Sequence, residues 1–90
     1  MNQSQKEFLK GCHNCVNYWS GVNTQNCDDK TKKLIKDNVE GAIFSLLVML
    51  DGDSAINDFH SYQITNEITG ENINCGNLHD LFYQIKKKSK

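Results

Sequence analysis

Apolar residues recur along this chain in two rhythms, a helical one at each end of the sequence and an alternating one between them. Phe8, Cys12, Cys15, Val16 and Trp19 fall at i, i+4, i+7, i+8 and i+11, the spacing that lines one face of an α-helix. Ser4-Gln5-Lys6-Glu7 has the Ser-x-x-Glu form of a capping box just before them, and Gly21 stands where a left-handed residue would stop a helix. A first helix is therefore predicted over 5–20. After a polar connection, Asn26 or Asp28 can cap a second helix that ends at Gly52. Within it Ile35, Val39, Ala42, Ile43, Leu46, Leu47 and Leu50 keep the same rhythm, while Phe44, Val48 and Met49 lie off the stripe. A segment apolar nearly all round predicts a central helix covered from at least two directions.

Beyond the polar loop Asp51–Asp58 the period changes. His60, Tyr62 and Ile64 alternate with Phe59, Ser61, Gln63 and Thr65, and Asn72-Ile73-Asn74-Cys75 follows Gly70, which predicts a β-hairpin. Asn77 and Asp80 then open a last helix with Leu78, Leu81, Phe82 and Ile85 buried and Lys86-Lys87-Lys88 at its negative end. The fold class expected is α+β, in the order α-α-β-β-α, as one small domain over residues 1–90.

Composition narrows the function classes. Among 90 residues there are ten cationic side chains, all Lys, and the formal net charge is -1. Without the forked guanidinium that most often clamps phosphate and reads guanine, no nucleic-acid partner is expected. The opening Met1–Glu7 is polar, and the longest apolar run, Ala42 to Leu50, is broken by Ser45 and far shorter than the ~20 residues of a membrane span. No membrane partner and a cytoplasmic address are expected, and there four Cys read as reduced thiols or a metal site before disulfides.

Three places could carry chemistry. Cys12, Cys15, Cys27 and Cys75 are four soft ligands that could hold zinc, but Cys12 and Cys15 sit mid-stripe on the first helix, where free Cys packs as a small hydrophobe. Core thiols and no cofactor are the primary reading, and a zinc-stabilised module is the alternative. Asp51, Asp53, Asp58 and His60 form an acidic loop able to meet a hard cation or serve a metal-dependent enzyme. It is not an EF-hand, since Ile56 and Tyr62 occupy the positions that need Gly and Glu. The same acids also suit a helix end and turn caps. His13, His60 and His79 could titrate near neutral pH. Cys12 and His13, adjacent on a helix, point about 100° apart and cannot act as a pair. No nucleophile elbow, phosphate loop or zinc-protease helix is present, so no catalytic residue is assigned.

Val39-Glu40-Gly41, Phe44-Ser45, Leu47-Val48 and Leu50-Asp51-Gly52 form a core pattern that resembles a family of short uncharacterised bacterial proteins, with an echo at Leu78-His79-Asp80 and Phe82-Tyr83. The resemblance spans about residues 38–60 and implies a bacterial or phage source with no known activity. The function expected is a small protein-interaction module of inhibitor, immunity or regulatory-subunit type. Its partner is another protein or a second copy, met through Gly41, Phe44, Ser45 and Val48.

Overall fold

The computed structural model describes residues 1–52, 62–74 and 77–88. Three helices account for its regular structure: α1 (Gln3–Gly21), α2 (Asp29–Asp51) and α3 (Leu78–Lys88). The α+β expectation is thereby corrected to all-α, because no strand occurs among the described residues and the hairpin region holds one isolated antiparallel bridge, Thr65 with Asn72.

The physical reason lies in the asparagines. Ile73 N donates to Ile64 O at 2.8 Å and Asn66 N to Glu71 O at 2.8 Å, so the chain does fold back at Gly70, whose φ of 77° uses the freedom of glycine. But Asn74 Oδ1 takes the Ile64 amide at 2.6 Å, and Asn66 Oδ1 takes those of Ile68 and Thr69 at 2.9 and 3.3 Å. Asn side chains that satisfy the backbone locally compete with a ladder, and here they win after a single bridge. Phe59, His60, Ser61 and Cys75 of the predicted strands lie outside the described residues.

Helix α1 begins earlier than the Ser4 box predicts. Asn2 is the cap: its Oδ1 accepts from Gln5 N at 2.8 Å while Gln5 Oε1 accepts from Asn2 N at 2.9 Å. Ser4 is instead a buried helical residue, donating to Glu71 Oε1 at 2.5 Å and accepting from Asn66 Nδ2 at 2.9 Å. With Gln5 Nε2 on Ile73 O and Asn2 Nδ2 on Asn72 O, it latches the 62–74 turn to the start of α1. At the other end Gly21 stays helical, and Asn23 takes the left-handed conformation (φ 58°), which Asn tolerates better than other side chains. Thr24 Oγ1 donates to the Gly21 carbonyl left over there.

Helix α2 starts at Asp28, whose side chain accepts from Thr31 N at 2.7 Å, and hydrogen bonding from the Thr31 side chain first and its backbone second holds the Asp28 carboxyl below the usual carboxylate range. It stops at Gly52, left-handed at φ 84°. The buried core is Leu9, Val16, Leu47, Ile73, Leu78, Phe82 and Ile85, with Phe8, Cys12, Val39, Ile43 and Phe44 packed around it. Two predicted core positions are corrected. Trp19 is 61% exposed and Cys15 is exposed, whereas Leu9, off the predicted stripe, is fully buried. Helix α2 is also not covered all round: Gly41, Ala42, Ser45 and Leu46 are open.

Length explains both departures. The 11 residues of α3 reach about 16 Å against about 34 Å for the 23 of α2, so α3 covers only part of the α1/α2 hairpin, and from one side.

Candidate functional site

On α1, Gly11, Cys15, Tyr18 and Trp19 are all exposed and fall at i, i+4, i+7 and i+8, with exposed Val22 just past the end of the helix. On α2, Leu34, Asn38, Gly41, Ala42 and Ser45 are all exposed and repeat the same rhythm, with Leu46 at the rim. The two stripes share one side of the hairpin. His13, whose ring stacks on Phe82 of α3 at 4.1 Å, sits two residues or about 200° round α1 from Gly11. Fully buried Leu47 bears the same relation to Ser45 on α2. So α3 packs on one face of the hairpin, and the opposite face is left bare.

The middle of that face carries no charged residue, and Glu7 and Lys30, one turn before Gly11 and Leu34, bound it. Lys36 lies on the far side of α2, while Asp37, whose Oδ2 is 2.8 Å from Lys33 Nζ, borders the face at its Gly41 edge. Beyond the reach of α3 the groove side is thus hydrophilic and needs no cover, while the uncharged side has none. Five of the nine large apolar side chains exposed among the described residues belong to it: Tyr18, Trp19, Val22, Leu34 and Leu46. Such clustering distinguishes a binding surface from scattered surface apolar residues. Tyr18 and Trp19 stand edge to face with centroids 5.1 Å apart at the hairpin tip. Further along are small residues, and a Cβ added at Gly11 or Gly41 would meet nothing within 4 Å. A mid-helix glycine costs about 1 kcal/mol relative to alanine, so neither glycine is explained by packing within one molecule.

Of the interaction residues expected from sequence, Gly41 and Ser45 lie on this face. Val48 is half-buried at its edge. Phe44 does not join it: its ring packs against α3, 5.9 Å from His79 and 5.2 Å from Tyr83 between centroids. Trp19, Tyr18 and Leu34, which dominate the face, escaped the sequence reading because Trp19 lies on the core stripe of α1 and only the docking of α3 on the other side of the hairpin leaves it uncovered.

The acidic loop resolves differently. Asp53, Asp58 and His60 lie outside the described residues. Asp51 has a fully buried side chain and joins two helices: its Oδ2 accepts from His79 N at 3.0 Å and lies 2.5 Å from His79 Nδ1, while Oδ1 is buried with no hydrogen-bond partner. A carboxylate at the C-terminal end of α2 faces an adverse dipole, and the His79 amide that donates to it at the positive end of α3 offsets this. Asn77 O accepts from Asp80 N and Leu81 N at 3.1 Å, so α3 is held at its start from both its own chain and α2. His79 Nε2 lies 3.7 Å from Asp80 Oδ1. A carboxylate on Nδ1 is the device that orients a histidine for catalysis or metal binding. Here it sits on the amide that it caps, which makes it a structural joint.

The cysteines do not converge among the described residues. Cys12 is half-buried beside the core, Cys15 is exposed one turn on, Cys27 lies in the α1–α2 connection, and Cys75 is outside the described residues. Burial, with Cys15 close by, pushes the Cys12 thiol up to about 11, away from the thiolate a metal or nucleophile needs. No group of three His, Cys, Asp or Glu able to hold a metal occurs among the described residues. His13 is half-buried against α3, its Nε2 2.7 Å from Phe82 O. No described helix is long and apolar enough to cross a membrane. Compared with known proteins, the chain matches no family model, no curated protein and no solved structure.

Proposed function

We propose that this chain is a small protein-interaction module, and that it binds through the uncharged face of the α1/α2 hairpin. The observation that carries this reading is the exposed Tyr18–Trp19 pair which, with exposed Leu34 on α2, belongs to a two-helix surface whose middle is free of charge. Tyr and Trp are the residues most enriched where binding energy concentrates, and depletion of charge marks the centre of an interface. An inhibitor, immunity or regulatory-subunit role is the class such a module suits, in a reducing cytoplasm where its thiols stay free.

The test is a photo-crosslinking amino acid placed at Asn38, in the middle of the face, and in a second variant at Lys36 on the charged side. Expression in the source cell followed by irradiation should yield protein adducts from position 38 and not from 36. Adducts from neither, or equally from both, would remove the face from consideration.

A further inference from the structure

Resting on that reading, we infer that the occupant of the face is a second copy of this chain, packed hairpin to hairpin about a two-fold axis that runs across the helices. Three observations converge on it. The middle of the face is uncharged, with Glu7, Lys30 and Asp37 only at its borders, so its centre offers no electrostatic handle to a charged partner and does not repel its own like. Its relief is divided in two: a bulky end formed by Tyr18, Trp19 and Leu34, and a shallow stretch formed by Gly11, Gly41, Ala42 and Ser45. A two-fold axis between these halves seats the bulky end of each copy on the shallow stretch of the other, the self-complementary relation that an isologous interface requires. Lastly, the open space over Gly11 and Gly41 is unexplained within one molecule and is what a partner helix needs for close approach.

The area is adequate for a modest dimer. Thirteen residues of α2, Leu34 to Leu46, run about 20 Å, and two helices together are about 20 Å wide, so the face is on the order of 400 Å² in plan. Side-chain relief raises the area buried toward the roughly 800 Å² per partner of a standard interface. An interface at the small end of this range belongs with weak, transient associations, so dissociation on the order of micromolar or weaker is expected. With the hairpins face to face, each α3 lies on the outside of the pair and keeps its own packing.

Sedimentation velocity on the purified full chain, from low micromolar to near-millimolar concentration, tests this directly. The wild type should shift from monomer to dimer across the range. Gly41→Leu, which fills the shallow stretch, and Trp19→Ala, which removes the bulky end, should each weaken association at least about tenfold. Lys36→Ser on the charged side should leave it unchanged. Circular dichroism on each variant separates lost association from lost folding, since positions 19, 36 and 41 are exposed. A wild type that stays monomeric throughout overturns the second copy as occupant. In that event adducts with an unlike protein from position 38 would still uphold the face as an interface. A dimer indifferent to Gly41→Leu and Trp19→Ala, or equally weakened by Lys36→Ser, overturns the geometry.

Discussion

Leu9 and Trp19 exchange the roles that residue size assigns to them, and truncating each to alanine measures by how much. Leu9 is fully buried among the three helices, so Leu9→Ala loses the transfer free energy of its side chain and leaves a cavity, together roughly 2.5–4 kcal/mol. Trp19→Ala removes a larger side chain that is 61% exposed. What it gives up is partial cover on α1 and an edge-to-face pair with Tyr18, about 1 kcal/mol. A chain of 90 residues has roughly 5–13 kcal/mol to lose, so Leu9→Ala is a severe lesion and Trp19→Ala a mild one. In thermal terms the first lowers Tm by on the order of 10–25 °C and the second by about 5 °C. Urea and heat unfolding followed by circular dichroism at low micromolar concentration reads both, and dilution keeps self-association from adding to the apparent stability. If Trp19→Ala costs as much as Leu9→Ala, then α3 or another segment covers the tip, and the bare face does not exist.

Other perturbations probe the joint, the glycines and the thiols. His79→Ala strips a partner from the buried Asp51 carboxylate and should cost roughly 3 kcal/mol in urea unfolding, with Asp51→Asn milder because it keeps an oxygen for the His79 amide; equal small losses would mean that α3 is held by Leu78, Phe82 and Ile85 alone. Gly11→Ala and Gly41→Ala should each stabilise the dilute protein by about 0.5–1 kcal/mol, since the new Cβ meets nothing and the unfolded chain loses freedom; destabilisation would reveal a neighbour at those sites. Because the Cys12 thiol ionises in the folded protein only at about 11, later than in the unfolded chain, stability should decline as pH rises from about 9 toward 11, and Cys12→Ser should flatten that decline. At pH 8, mass-resolved alkylation should label Cys15 well before Cys12, and the reverse order would contradict the assigned burial.

The local rules of helix formation were readable from the residues themselves. Asp28 as a cap, Gly52 as a left-handed stop and the Leu78, Phe82, Ile85 stripe all depend on atoms a few positions apart in the chain, and each holds in the folded protein. The cap of α1 was misplaced because two boxes of similar chemistry overlap, Asn2 with Gln5 and Ser4 with Glu7. Only the docking of the 62–74 turn onto Ser4 shows which one the helix uses.

The hairpin was misread for a related reason. Alternation of Tyr62, Ile64 and their neighbours is a real pattern, but whether it becomes a ladder depends on where the amides of Asn66 and Asn74 find partners, and Asn74 Nδ2 reaches Leu50 O on α2, 3.0 Å away. That is a matter of long-range geometry.

Which side of the hairpin stays bare is likewise invisible in one dimension. Periodicity identifies the apolar faces of α1 and α2 but not how far a third helix reaches along them, and it places Trp19 and Leu9 without saying which one α3 covers. The residues decided where each helix starts and stops, because caps, dipoles and left-handed stops act within a turn or two. Tertiary packing decided what is covered, because burial is shared among segments distant in sequence, and an α3 docked on one side of the hairpin leaves the other side to the solvent.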